Sequence, residues 1–79
     1  MLIKVKLFTT LVKYGPDTAA GVPFDFDLPA AAPVADLLNR LKLPAAEVKI
    51  VFVNGRHQPL NYQLKSGDEV GIFPAVGGG

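Results

Sequence analysis

The richest chemistry in this chain lies at its last residue. The sequence closes Phe73-Pro74-Ala75-Val76-Gly77-Gly78-Gly79, a stretch with no charged group and no long side chain. A terminal glycine presents its carboxylate with no Cβ crowding it, so such a tail can thread a narrow channel in another protein. Its carboxylate can attack ATP and emerge as an acyl adenylate. Sulfide or another nucleophile can then displace AMP from that activated carbonyl. The chain has no cysteine, so if it carries sulfur, only the terminus can hold it. With Gly79 expected to be the end, a phosphate-cradling loop is excluded, because such loops need a following helix to supply N–H groups and a dipole. The competing reading of the three glycines is an inert, frayed end.

The other reactive side chains form no catalytic set. His57 is the single histidine and has no acid, serine or cysteine constellation near it in sequence; it reads as an ordinary surface residue. Asp25 and Asp27 share one side of an alternating segment, as paired carboxylates would, but a solvated strand face explains them equally. Asp68 follows Gly67 in a turn, and turn chemistry accounts for it. With one histidine and no cysteine, a His-rich or Cys-based metal site is excluded. The chain therefore reads as a protein substrate rather than as a catalyst on its own.

Any fold that presents this tail must be small. At 79 residues the chain makes one domain, burying about 60% of its unfolded surface. Eight basic residues against seven acidic ones give a net charge of +1, and the basic residues are scattered; this argues against a nucleic-acid binder. No signal-peptide pattern opens the chain and no apolar run reaches the length of a membrane span, so a cytoplasmic protein with no membrane association is expected.

The elements follow from periodicity. Leu2 to Phe8 alternates, with Ile3, Val5 and Leu7 on one face and Lys4 and Lys6 on the other, which predicts a half-buried strand. Thr9 to Tyr14 predicts a short helix capped by Thr9 or Thr10 and ended by Gly15-Pro16. Val22 to Leu28 predicts a second strand. Pro33 then opens a helix whose Val34, Leu37, Leu38 and Leu41 form one apolar stripe, ended at Pro44. Val48 to Val53, the Asn54-Gly55 turn and Arg56 to Leu60 predict a hairpin. Val70 to Phe73 is the last strand. The expected fold is α+β, a ubiquitin-like β-grasp with a mixed sheet of about five strands on one main helix. Residues 1–74 would form the domain and residues 75–79 a flexible tail.

Strict alternation in the third strand sends Val48, Ile50 and Phe52 to the helix, and Lys49, Val51 and Val53 the other way. The face away from the helix is then expected to carry Phe8, Val51, Val53 and Phe73. An apolar group of that kind marks a partner-binding surface.

The order of elements, the Asn54-Gly55 turn, the run Leu64-Lys65-Ser66-Gly67-Asp68-Glu69-Val70 and the ending Phe73 to Gly79 together resemble the MoaD/ThiS sulfur-carrier family across the whole chain. The helix at Thr9 to Tyr14 makes the MoaD branch, the small subunit of molybdopterin synthase, the nearer likeness. The resemblance implies that an E1-like adenylyltransferase uses ATP to activate the Gly79 carboxylate, which becomes a thiocarboxylate. The tail would then enter the large subunit of molybdopterin synthase and give its sulfur to a pterin precursor of the molybdenum or tungsten cofactor. Gly78 and Gly79 match the family's terminal pair, Gly77 stands beside them in the inserted tail, Pro74 and Val76 match tail positions seated in the partner's groove, and Phe73 matches a partner-contacting aromatic. No cofactor would be bound by the chain itself. Ala75 stands where a proline is common in MoaD. The same ending fits a carrier for another sulfur pathway such as thiamine synthesis, or a ubiquitin-like protein modifier.

Overall fold

The structure, a computed structural model, describes residues 1–75. Strand β1, Leu2–Leu7, buries Ile3, Val5 and Leu7 and turns its lysines outward, as its alternation predicts. It pairs antiparallel with β2, Phe24–Asp27, and parallel with β5, Glu69–Pro74. Strand β3, Val48–Val53, lies antiparallel to β5 on its other side and carries the two-residue β4, Arg56–His57, at the edge. The order β2-β1-β5-β3-β4 places the first and last strands side by side at the centre of one mixed sheet. This is the β-grasp arrangement the sequence implies.

Helix α1, Val34–Arg40, covers one face of the sheet. Val34, Leu37, Leu38 and Leu41 are buried against Ile3, Val5, Leu11, Val70 and Ile72 in a single core. The helix stops in a Schellman pattern: Leu43 N–H bonds to Leu38 O at 2.9 Å and Lys42 N–H to Asn39 O at 3.0 Å, with Lys42 at φ 58°. That reversal carries Leu43 back into the core, and Pro44 prevents further winding. No helix among the described residues is long and apolar enough to cross a membrane.

The structure corrects the expected face of β3. Val48 pairs with Pro74, but Ile50, not Lys49, pairs with Phe73. One extra residue sits in the strand, a β-bulge, and it reverses the alternation beyond it. Val48 still packs on the core; past the bulge Val51 and Val53 point inward, each 2% exposed. They are core residues and leave the outer-face group. Phe52 takes their place on that face, where its ring meets Phe73.

Smaller differences have equally local causes. Strand β2 begins at Phe24, after Pro23, which cannot join a ladder, and Val22 is exposed. Strand β4 ends before Pro59 for the same reason. The 3-10 helix Thr9–Tyr14 is preceded by Phe8 and has no side-chain cap; Thr9 lies at φ 46° and neither threonine caps it. A further 3-10 turn, Ala45–Glu47, precedes β3.

Candidate functional site

The face of the sheet opposite α1 is built by the central strands. The pairings Lys6↔Gly71 and Gly71↔Phe52 set these three residues in one row across β1, β5 and β3. Phe8, extended just past β1, and Phe73 occupy the next row. Their rings stack with centroids 4.2 Å apart and planes 6° from parallel, and Phe52 meets Phe73 edge-on at 5.6 Å and 84°. All three phenylalanines are half-buried. Offset-stacked and T-shaped pairs of this kind hold each other's orientation.

Gly71 lies beneath the cluster. A Cβ there would lie 3.6 Å from both the Phe8 and Phe73 rings, in ordinary van der Waals contact, so glycine leaves the floor beside the rings open. What remains is an open depression of about 220 Å³ lined by Lys6, Phe8, Phe52, Gly55, Glu69, Gly71 and Phe73. Its rim is charged: Lys6 Nζ lies 3.0 Å from Glu69 Oε1. An apolar floor with a polar rim is the anatomy of a protein-docking patch.

The rim is fixed by two turns tied together. The Asn54-Gly55 turn has both residues at positive φ, 53° and 81°, the type I′ geometry that a two-residue hairpin needs. Asn54 Nδ2 donates to Asp68 Oδ1 at 2.9 Å, Glu69 N–H donates to Asn54 Oδ1 at 2.9 Å, and Lys65 N–H donates to Asp68 Oδ2 at 2.8 Å. Asp68, 7% exposed, is the buried charged residue of the described chain, and these bonds offset its desolvation. Its role is to join the β3–β4 turn to the start of β5.

The end of β5 lies beside this patch. Pro74 ends β5 opposite Val48, and Ala75 N–H donates to Glu47 O at 2.9 Å. Tyr14 Oη in turn donates to Glu47 Oε2 at 2.7 Å. That bond to a carboxylate, with lesser contributions from burial and from the Glu47 charge, raises the Tyr14 phenol above its ordinary value.

Of the expected site residues, Phe8 and Phe73 are brought together, Pro74 stands at the tail root, and Val51 and Val53 are in the core. Val76, Gly77, Gly78 and Gly79 lie outside the described residues. Asp25 pairs with Lys4 at 2.7 Å and Asp27 with the N-terminal amine at 3.3 Å, on an exposed face; His57 is exposed with its ring 6.2 Å from Phe52. Sequence reasoning missed Phe52, Gly71, Tyr14 and Glu47. A glycine inside a β-rich segment was the available signal for Gly71.

Sheet order, central parallel pair and crossing helix define a ubiquitin-like β-grasp protein with an aromatic cluster on the sheet face opposite its helix. The chain belongs to the ThiS family, whose profile matches residues 5–79, in keeping with its resemblance to the MoaD/ThiS sulfur carriers. A solved structure from Pyrococcus furiosus, described as a putative molybdopterin converting factor, subunit 1, is 28% identical, with TM-score 0.71 over 95% of this chain and 98% of that one. SAMP1 of Haloferax volcanii shares the fold at 24% identity and TM-score 0.71, each chain covered in full. So does a chain in the complex of subunits 1 and 2 of the molybdopterin-converting factor from Helicobacter pylori, at 24% identity, TM-score 0.57 and full coverage of both chains. No curated protein matches the chain.

Proposed function

We propose that this chain is the sulfur-carrying small subunit of a molybdopterin synthase. The observation that carries the reading is the Phe8–Phe73–Phe52 patch, contiguous along β5 with the root of the glycine tail. A partner that grips this patch also controls where the tail enters. Membership of the ThiS family and the likeness to a protein described as a molybdopterin converting factor subunit support the same reading.

In the proposed cycle an E1-like enzyme binds the patch and holds the Gly79 carboxylate against ATP. A carboxylate oxygen attacks the α-phosphorus and pyrophosphate leaves. A sulfur nucleophile supplied by a sulfur relay adds to the acyl carbon, and AMP leaves with the C–O bond electrons. A relay thiolate then attacks the relay-side sulfur of the resulting acyl disulfide, the S–S bond breaks, and the thiocarboxylate leaves while the two relay sulfurs join as a disulfide. The patch then docks on the large synthase subunit, and the tail delivers sulfur to the pterin precursor. The carrier's own residues dock, point and exclude; ATP is bound by the activating partner.

The test is intact mass spectrometry of the full chain after incubation with a cognate E1-like enzyme, ATP and a sulfur donor. The expected result is the mass gain of one sulfur-for-oxygen exchange, reversed on adding the large subunit and its pterin substrate. Isopeptide ladders on denaturing gels in place of the thiocarboxylate would assign the chain to protein modification.

A further inference from the structure

Both ends of the 3-10 helix Thr9–Tyr14 are fastened to the end of β5. At its start, Phe8 stacks on Phe73. At its finish, Tyr14 bonds to Glu47, whose carbonyl accepts the N–H of Ala75. Glu47 is itself held in the Ala45–Glu47 turn by its N–H, which donates to Pro44 O at 3.0 Å. The tail root is thus bonded to a residue whose side chain a second element orients.

We infer that Tyr14 and Glu47 are positioning residues for the tail: their hydrogen bond holds the Glu47 carbonyl where it fixes Ala75, and so sets the point and direction from which the last four residues leave the domain. The inference rests on the carrier reading for its purpose and on these bonds for its geometry.

The physical case concerns reach and ordering. Four residues extend at most about 14 Å, so a channel with a fixed mouth and a fixed reacting point demands a fixed starting point. A proline at position 75, with no N–H, could not donate this bond and would instead fix its own φ. Ala75 has no such constraint, and the bond to Glu47 supplies it. Ordering one backbone residue before docking removes a cost from the binding step. Because the partner's groove positions the tail once bound, loss of the clamp should raise the carrier concentration needed for half-maximal activation and leave the turnover of the bound complex near its original value.

The experiment uses the full chain with Tyr14→Phe, Glu47→Ala and Glu47→Gln. Amide hydrogen exchange of Ala75 is followed by NMR, and ATP–pyrophosphate exchange with the cognate E1-like enzyme is titrated with carrier. Melting temperature serves as a control for folding. Tyr14→Phe keeps the ring and removes only the donor. It and Glu47→Ala should speed Ala75 exchange about tenfold and raise KM for the carrier about five- to tenfold with kcat little changed. Glu47→Gln keeps an acceptor and should restore both. A wild-type Ala75 amide that exchanges like an unstructured peptide would overturn the clamp, as would a Tyr14→Phe variant with unchanged Ala75 exchange or unchanged KM. If the wild-type chain supports no pyrophosphate exchange, the activation reading falls, and the Ala75 amide alone decides the clamp.

Discussion

The rings of Phe8 and Phe73 lie face to face, 4.2 Å between centroids, although 65 positions separate them in sequence. The parallel pairing of β1 with β5 brings them together. The stack joins the end of β1 to the end of β5. Each ring supports the other, and in the proposed function each also offers a face to a partner.

Phe73→Ala separates those jobs. Loss of the partner contact should weaken association with the activating enzyme or the large synthase subunit by about 2–4 kcal/mol if Phe73 anchors the patch. Loss of a half-buried aromatic pair should cost the isolated domain about 0.5–1.5 kcal/mol beyond the area it uncovers. Calorimetric binding and chemical denaturation of the same variant compare the two. Normal binding by a variant with a strongly lowered unfolding midpoint would make the stack a structural prop and nothing more.

Asp68→Ala leaves Asn54 Nδ2 and Lys65 N–H without their acceptors. Breaking bonds to a buried carboxylate should cost about 1.5–3 kcal/mol. Because the rim of the depression depends on this link, the chemical shifts of Gly55 and Glu69 should move while those of α1 stay put. Denaturant midpoints below about 0.5 kcal/mol equivalent of change would show that the two turns hold their shape independently.

Thr9 is a β-branched residue at φ 46°, where a Cβ costs roughly 1–3 kcal/mol. Thr9→Gly relieves that strain but adds freedom to the unfolded chain worth about 0.5–1 kcal/mol. The difference favours glycine by up to about 2.5 kcal/mol, read as a raised melting temperature. A lowered melting temperature would mean that the threonine side chain makes a compensating contact.

The Tyr14–Glu47 bond has a pH signature. The phenol in the folded chain is raised above its ordinary value, which is about 10. Its contribution to stability is therefore whole at and below the unfolded value and is lost as pH climbs through the higher folded value. Ultraviolet titration of the folded protein should show one tyrosine ionising late. Tyr14→Phe should remove that late step, and an alkaline titration curve that Tyr14→Phe leaves without loss of a late step would contradict the bond.

The fold was legible where periodicity is strong and uninterrupted. The stripe Val34, Leu37, Leu38, Leu41 and the alternation Ile3, Val5, Leu7 each repeat one period against one core, and the Asn54-Gly55 turn has a backbone demand few dipeptides meet. The docking face was half legible. Phe8 and Phe73 sit on segments whose alternation is unbroken, whereas Val51 and Val53 lie past a bulge that adds a residue at Lys49. The apolar run Ile50 to Val53 is compatible with either face, so nothing in it marks the shift of register. Tyr14, Glu47 and Ala75 were illegible for another reason: they meet only after the sheet closes, and no pattern in any one segment records the meeting.

The last prediction bears on the proposed chemistry directly. In the proposed cycle the Gly79 carboxylate attacks ATP and its carbon then accepts sulfur, so activity would depend on where that carboxylate stops. Deleting Gly79 leaves another glycine carboxylate in Gly78 but withdraws it by one residue, about 3.3–3.6 Å if extended. A misplacement of about 1 Å can cost two orders of magnitude in a preorganised site. The deletion should therefore abolish ATP–pyrophosphate exchange. Adding one residue beyond Gly79 should do the same by overshooting, while Gly77→Ala keeps the length and should be milder. Among the described residues the last backbone tie of the fold is Ala75 N–H to Glu47 O, four positions before Gly79, so the melting temperature should not move. Full exchange activity in the Gly79 deletion would show that the carbonyl's position is irrelevant, and the sulfur-carrier reading would fall with it.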